Sequence, residues 1–395
     1  MGKIKEIIYF YILKEVMNLR KKFSYIALLL TFILLCSCSQ KKQPKEEGKE
    51  KAAAESFNSK IAINLINSYM IYLMNDDMEN AKKLYSKELS EKNVEIMGSE
   101  LKVEGYKLDD VNEVGSSALI KVRVARSVRE RPTGVLDIYT IKIVKEDGDY
   151  KIKEISSMNE KEGFEQDFAI RMRQKNNVKT YLILDMDGIP QYAFPKNDKV
   201  NVSKIKVPKK EYGNITFSYS GDKLAICTYD KNSFIGVVKI DESLAVQGGA
   251  TGGEQGGGAG AGGGGEGKQG GQQNVTPGSK SKEMPIGKEL VSLDLLRDCK
   301  VQYTSFSLDE KFIMAQYKKE NIGYGMRIYN VDSGETIPIS IEEQFPIEKF
   351  DTIFYSYDTD VINFDVREKK GATKEDMEKV GRWQINFKEF KLKKL

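Results

Sequence analysis

Four cysteines carry the thiol chemistry of this 395-residue chain, which contains no histidine. Cys36 and Cys38 follow an apolar run, whereas Cys227 and Cys299 form neither a Cys-x-x-Cys motif nor a zinc-ligand spacing. Outside the cytoplasm a disulfide between Cys227 and Cys299 is possible, and the alternative is two free buried thiols. Without histidine, the chain has no His-dependent base, no Ser-His-Asp or Cys-His nucleophile and no His-ligated metal.

Carboxylates and tyrosines are the remaining groups for acid–base chemistry. Tyr69, Asp76 and Asp110 are available, but nothing in their spacing marks them, and core or turn positions account for them. Asp185 and Asp187 resemble the Asp-x-Asp start of haloacid-dehalogenase phosphatases. That chemistry needs alternating strands and helices, which the following sequence lacks, so an Asp-Gly turn is favoured. We therefore predict no catalytic residue, no cofactor and no metal site.

A targeting pattern occupies the N-terminal region. Three basic residues, Arg20 to Lys22, precede an apolar run of 11 residues, which is short for a membrane span of roughly 20. The run ends in Leu35-Cys36-Ser37-Cys38, which resembles the bacterial lipobox. The resemblance implies that a peptidase cuts between Ser37 and Cys38 and that Cys38 carries diacylglycerol. The alternative is a short transmembrane helix with two incidental cysteines.

Residues 1–37 are accordingly predicted to be a signal peptide, with translation starting at Met17. Residues 38–55 are charged and nearly free of large apolar side chains, which predicts a disordered tether behind the lipidated cysteine. The protein is expected on the extracytoplasmic face of the cell membrane, held by its lipid. Six basic and two acidic residues precede Cys38 and account for the net charge of +4, so no nucleic-acid partner is expected.

Residues 56–160 are predicted to begin with helices and to continue as antiparallel strands. Ile61, Leu65 and Tyr69 recur at helical spacing, and the later segments "ALIKVRVARSV" and "VLDIYTIKIVKE" alternate apolar and polar residues. A "DGD" turn then precedes "YKIKEI", as in a hairpin. This order resembles the NTF2-like superfamily. The resemblance implies an α+β domain with helices packed on a curved antiparallel sheet.

Residues 178–395 contain three similar segments: "FSYSGDKLAI", "FSLDEKFIM" and "YSYDTDVIN". Each has an aromatic residue and a serine, then a polar turn and an apolar strand, and Ser307 and Ser356 lie 49 residues apart. The segments resemble the hairpins of TolB-type (WD40-like) β-propeller repeats. The resemblance implies an all-β domain forming a small or partial propeller of about four blades. Because the motif serine is never followed by proline, an open array of sheets is the alternative.

A glycine-rich tract at 247–282 interrupts this second region. It lacks the flanking strand, helix and Lys-Ser/Thr of a phosphate-binding loop, so a disordered insert is predicted. Trp383, the only tryptophan, is expected to pack rather than to bind. We expect a non-enzymatic binding module for a protein, peptide or envelope component. The alternatives are a structural or assembly factor of an envelope complex and a carboxylate/Tyr-based enzyme in the NTF2-like cone.

Overall fold

The computed structural model describes most of the chain after the N-terminal region. Strands contain 56% and helices 13% of the described residues, and the sheets are antiparallel. The prediction of an NTF2-like α+β domain is therefore wrong, and the described chain has a mostly β fold. The described ranges are 57–92, 100–174, 177–196, 204–247, 283–371 and 373–395. The predicted signal peptide, the tether and most of the glycine-rich insert lie outside these ranges.

Within the described part of the chain, three helices precede the first strand: α1 (Ser59–Met74), α2 (Met78–Lys83) and α3 (Lys87–Glu91). Asn58, Asp77 and Ser86 each precede one of them, and their side chains accept hydrogen bonds from backbone N–H groups of the first turn. These caps satisfy donors that a helix start leaves unpaired. On α1 the buried stripe includes Ile66 and Tyr69, whereas Ile61, expected on this face, is 47% exposed.

The first sheet has six strands that pair in chain order. Its strands are β1 (Leu101–Val114), β2 (Ser117–Val128), β3 (Thr133–Glu146), β4 (Asp149–Gln166), β5 (Ala169–Gln174) and β6 (Thr180–Asp185). Alternate residues of β2, such as Ile120 and Val122, are fully buried in a core shared with α1. Burying each such side chain stabilises the fold by about 1.5–3 kcal/mol. The helix therefore covers part of one sheet that extends well beyond it.

The continuation of this sheet explains why the α+β prediction failed. β4 runs for 18 residues through polar sequence, and β5 follows it after a two-residue turn at Asp167 and Phe168. Both turn residues have positive φ, 54° and 56°, without the glycine or asparagine that usually indicates this turn. Backbone pairing holds both strands in the sheet, although the later part of β4, from Ser156 to Gln166, lacks the apolar alternation by which a strand is predicted.

Three further sheets follow, besides a two-stranded ribbon of β7 (Tyr192–Ala193) and β8 (Ile205–Lys206). They have the orders β12-β11-β10-β9, β13-β14-β15 and β16-β17-β18-β19. Their strands are β9 (Glu211–Phe217), β10 (Lys223–Tyr229), β11 (Ser233–Ile240), β12 (Gly287–Leu296), β13 (Cys299–Phe306), β14 (Phe312–Lys319), β15 (Gly323–Asn330), β16 (Phe350–Asp358), β17 (Val361–Glu368), β18 (Gly381–Asn386) and β19 (Lys391–Lys394). Short helices are α4 (Leu244–Gln247), α5 (Ile341–Gln344) and α6 (Lys374–Met377).

Each of the three repeated segments forms the hairpin between the first and second strands of one sheet. In the first two repeats the motif serine closes the turn: Ser218 Oγ accepts from the N–H of Lys223, and Ser307 Oγ accepts from the N–H of Phe312. Three residues after each serine lies a residue of positive φ, Gly221 at 73° and Glu310 at 60°. The second repeat therefore keeps the turn geometry of the first, although it has glutamate where the first repeat has glycine.

The repeated hairpins also hold neighbouring sheets together. The carboxylate of Glu310 accepts from the backbone N–H and the hydroxyl of Ser220, at 2.7 and 2.6 Å, and so joins the first and second repeats. The hydroxyl of Tyr219 donates to the carbonyl of Phe306 at 3.0 Å, and that of Tyr357 donates to the carbonyl of Ser305 at 3.1 Å. β9 lies against β13 and against β2 and β3, and residues 56–395 form one compact unit.

Candidate functional site

The residues singled out for lipidation, Ser37 and Cys38, lie outside the described residues. Cys227 and Cys299, for which a disulfide was left open, are both free and buried. Burial raises the pKa of the Cys227 thiol to about 12 and that of the Cys299 thiol to about 11. Both thiols belong to one apolar core cluster, in which they pack as small apolar side chains.

The candidate acid–base residues each have a structural partner of their own. Tyr69 is buried, its hydroxyl lies 3.1 Å from that of Tyr85, and burial raises its pKa. Asp76 has a φ of 57° in the turn after α1 and pairs with Lys102 at 2.7 Å. Asp110 accepts a hydrogen bond from Asn112 on the exposed end of β1. These contacts account for the three residues through folding alone.

The Asp-x-Asp segment ends an antiparallel strand. Asp185 is the last residue of β6, which pairs antiparallel with β5, and its carboxylate accepts from the N–H of Gly188 at 3.0 Å. Asp187 is exposed in the following turn. This agrees with the Asp-Gly turn favoured by the sequence. Within the ranges that the structure describes, no group of three Cys, Asp or Glu residues is placed to hold a metal ion.

An open cavity of about 480 Å³ lies where four turns converge, and we call it the basic cleft. The turns are those between β2 and β3, β10 and β11, β12 and β13, and β14 and β15. The cleft is lined by five cations and three carboxylates, together with tyrosine, glutamine and isoleucine side chains. The charged residues are Arg129, Glu130, Lys231, Asp298, Lys300, Lys318, Lys319 and Glu320. Cations therefore outnumber carboxylates at this surface.

Hydrogen bonds between turns set the shape of the basic cleft. The side chain of Asn232, in the β10–β11 turn, accepts from the N–H of Asp298 in the β12–β13 turn at 3.0 Å. Ser233 Oγ donates to the carbonyl of Cys299 and accepts from the N–H of Val301, at 2.8 and 3.2 Å. These bonds fix β13 beside β11, so the walls of the cleft come from strands and from turns bonded to each other.

Lys300 and Lys318 lie directly opposite each other on β13 and β14, and both are exposed. Lys318 is also directly opposite Tyr324 on β15, so a lysine, a lysine and a tyrosine form one cross-strand row. The ammonium of Lys300 lies 5.4 Å from the Tyr229 ring centroid, and that of Lys318 lies 5.6 Å from the Tyr324 ring centroid. Among the described residues, neither lysine pairs with a carboxylate. Like charges directly opposite each other destabilise a sheet.

The other cations of the cleft have different roles. Arg129 forms two hydrogen bonds with the buried carboxylate of Glu104, both at 2.9 Å, and lies 3.9 Å from the Tyr303 ring centroid. It therefore links the first sheet to β13. Lys231 pairs with Asp298 at 3.0 Å, and its side chain is 81% exposed, so this contact is weak. Lys300 and Lys318 are the cations best placed to meet an anionic ligand.

The neighbouring guanidinium of Arg327, in contrast to the two lysines, is neutralised by carboxylates. Arg327 on β15 donates to the buried carboxylate of Asp294 at 2.7 Å and forms two bonds with Glu342 of α5, at 2.9 and 2.7 Å. Asp294 also accepts from the hydroxyl of Tyr329 at 2.9 Å. Because two carboxylates surround this guanidinium, it fastens α5 to the sheet and does not offer a free positive charge.

The basic cleft was not predicted from the sequence. Its lysines are ordinary surface residues in a chain of 62 basic and 58 acidic residues, and only strand pairing places Lys300 beside Lys318. One signal was available: Lys300, Lys318 and Lys319 lie at the outer ends of β13 and β14, the two strands that the second repeat joins. Trp383, expected to pack, contacts Phe345 with ring centroids 5.1 Å apart and donates to the carbonyl of Lys379.

Comparisons with known proteins give no family for this chain. No family model matches it, and no curated protein matches it. A structure from a study of two prolyl endopeptidases, concerned with inter-domain dynamics in catalysis and specificity, matches over 85% of this chain, at 10% identity and a TM-score of 0.25. The chain spans 40% of the length of that structure. Similarity at this level establishes neither a shared fold nor a shared activity.

None of the helices in the ranges given above has the length and apolar character that crossing a membrane requires.

Proposed function

We propose that this protein is a non-enzymatic binding module that takes an acidic protein or peptide segment in the basic cleft. The observation that carries the proposal is the apposition of Lys300 and Lys318 on paired strands without a carboxylate partner among the described residues. A bound carboxylate placed between the two ammonium groups would replace a repulsion with two attractions. The adjoining Tyr229 and Tyr324 rings offer apolar surface beside the charges.

The type of cation also supports this ligand. Lysine acts as a mobile point charge, whereas bidentate recognition of one carboxylate uses arginine. Arg129, the arginine of the cleft, is already bonded to Glu104. Lysines in an open cleft therefore suit a chain of several carboxylates held with modest affinity and strong dependence on salt.

The arrangement of the repeats supports a partial β-propeller as the scaffold. Three sheets of four, three and four strands each begin with a repeated hairpin, and β9 contacts β13. The first sheet contacts β9 through β2 and β3, and it contacts β13 through β1. Binding surfaces built from turns at one end of rigid sheets are common, because turns tolerate variation that strands do not.

The location belongs to the same proposal. Leu35-Cys36-Ser37-Cys38 supports a diacylglycerol anchor on Cys38 and an extracytoplasmic position at the cell membrane. The chain from Cys38 onward has as many acidic as basic residues, so a lysine cleft is a local feature that does not reflect a general excess of cations. An acidic segment of another envelope protein is the partner that this position makes available.

The cleft is tested by binding of a fluorescein-labelled glutamate–tyrosine peptide to the full chain in nonionic detergent. We expect the Lys300→Gln/Lys318→Gln variant to bind the peptide about fivefold more weakly than the wild type does. Without peptide, the variant should be up to about 1 kcal/mol more stable than the wild type, because the repulsion between the two like charges is gone. Lys311→Gln is the matched control, since Lys311 precedes β14 at its opposite end and is 70% exposed. Equal binding by all three proteins would refute the cleft.

The anchor is tested separately by fractionation of cells that express the wild type or Cys38→Ala. A lipidated wild type in the membrane fraction and an unprocessed variant of higher mass are expected. A wild type whose mass shows no diacylglycerol would remove the proposed location and leave the binding result unaffected.

A further inference from the structure

A second cavity adjoins the basic cleft. It has a volume of about 710 Å³ and lies beside the two-stranded ribbon of β7 and β8, and we call it the ribbon groove. Tyr192, Lys206, Val207 and Lys209 line it on the ribbon side, and the β10–β11 turn lines it on the other. Lys231 of that turn lines both the ribbon groove and the basic cleft. The two cavities therefore meet at one side chain.

The ribbon groove repeats the chemistry of the cleft. Tyr192 and Lys206 lie directly opposite each other on the paired strands, and the ammonium of Lys204 lies 4.7 Å from the Tyr192 ring centroid. Neither Lys204 nor Lys206 pairs with a carboxylate among the residues that the structure describes. Lys206 lines the groove, and Lys204 lies beside it at the Tyr192 ring, so lysine charge remains available here as it does in the cleft.

Other cations near the groove are already engaged. The ammonium of Lys209 donates to the carbonyls of Met186 and Ile189, at 2.6 and 2.5 Å, and so has a structural role. Among the residues that the structure describes, Lys231 at the junction pairs with exposed Asp298 alone. An exposed pair of this kind contributes little, so a ligand carboxylate can replace Asp298 there at small cost.

Exposed aromatic surface distinguishes the groove from a simple patch of charge. Tyr192 lines the groove and is 48% exposed, and Tyr229 lines the adjoining basic cleft. A polymer carrying only phosphates would leave these rings uncovered. A peptide with acidic and apolar side chains in alternation would cover the rings and meet the lysines with the same backbone.

From these contacts we propose that the ligand is an extended acidic polypeptide segment that occupies the basic cleft and the ribbon groove together and passes Lys231. This inference rests on the proposed function of the basic cleft and adds the length and the side-chain pattern of the ligand. Joining two weak sites in one chain raises affinity without new contacts at either site, because the second contact becomes intramolecular.

Two alternating glutamate–tyrosine peptides test the proposal, one of about four residues and one of about 12, which spans up to about 40 Å when extended. The full chain in nonionic detergent should bind the longer peptide at least about tenfold more tightly. The Lys204→Gln/Lys206→Gln variant should lose that difference and bind the shorter peptide unchanged, whereas Lys311→Gln should behave as wild type.

The outcomes separate the two proposals. Equal affinity for both peptides, with no effect of Lys204→Gln/Lys206→Gln, would overturn the extended site and leave the basic cleft standing. Failure to bind either peptide would overturn both. Tighter binding of linear polyphosphate or a single-stranded oligonucleotide of the same charge, at the same salt concentration, would replace the peptide with a phosphate polymer as the partner.

Discussion

The bond between Glu104 on β1 and Arg129, directly after β2, offers the sharpest test of how a buried charge pair stabilises the first sheet. The Glu104 side chain is 0% exposed, and its carboxylate accepts two N–H groups of Arg129 and the hydroxyl of Ser127, all at 2.9 Å. In Arg129→Met the apolar stem is kept, but the buried carboxylate retains only Ser127. Removing one partner of a buried pair costs about 3–5 kcal/mol, because the remaining charge is uncompensated.

The pH dependence of this loss has a definite sign. Burial raises the pKa of Glu104 in the folded protein, so the folded state holds the carboxyl proton more tightly than the unfolded chain does. The stability that comes from this proton is present at low pH and is lost as pH rises through the folded-state pKa. Without the guanidinium the pKa rises further. The deficit of Arg129→Met relative to wild type should therefore shrink on acidification from about pH 8 to about pH 5.

Urea unfolding followed by the fluorescence of Trp383 measures these free energies. Arg131→Met is the matched control, because Arg131 is 60% exposed and pairs with exposed Glu100, and such a pair contributes about 0–1 kcal/mol. Adding Glu104→Gln to Arg129→Met should recover part of the stability, since the buried charge is then gone. A loss no larger than that of Arg131→Met, a deficit independent of pH, or a double variant no more stable than Arg129→Met would refute the reasoning.

Three further outcomes follow from buried contacts. Arg327→Met should destabilise the protein by about 3–5 kcal/mol in urea unfolding, since it leaves the buried carboxylate of Asp294 with neutral donors such as the Tyr329 hydroxyl but without a cation; a change below about 1 kcal/mol would contradict this. Gly105→Ala should cost about 1–3 kcal/mol, because a Cβ there would meet the Tyr219 hydroxyl, and Tyr219→Phe should restore part of that loss. The Cys227 thiol, with a pKa raised to about 12, should react with maleimide at pH 7 only after unfolding; equal rates in folded and unfolded protein would contradict its burial.

Local sequence was enough to predict several elements correctly. The α1 helix follows from apolar spacing, the Asp147-Gly148 hairpin joins β3 to β4, and each repeated segment forms a hairpin. These features depend on residues close together in the chain, whose φ and ψ preferences and apolar periodicity are visible in the sequence. The lipid anchor at Cys38 is also a sequence-based prediction, and it stays one.

The sequence misled where backbone pairing rather than side-chain pattern sets the structure. β4 continues through polar residues and turns at Asp167 and Phe168, so the first sheet grows past the helices and the chain is mostly β. The apolar face predicted for α1 also differs from the buried face in the structure, because Ile61 is exposed while Ala62 and Ile66 are buried. Periodicity indicates that a helix has an apolar face, but the sheet beneath it decides which residues that face contains.

The amino-acid sequence shows some of the turns, at Asp147-Gly148 and in the three repeated segments, and it shows directly that the chain has no histidine. Which charges remain available for a ligand depends on the folded chain. Glu104 and Arg129 neutralise each other across two strands, whereas Lys300 and Lys318 meet through strand register and find no carboxylate among the described residues. A charge pair depends on distances of a few ångströms between residues far apart in the chain, and the sequence contains no such distances.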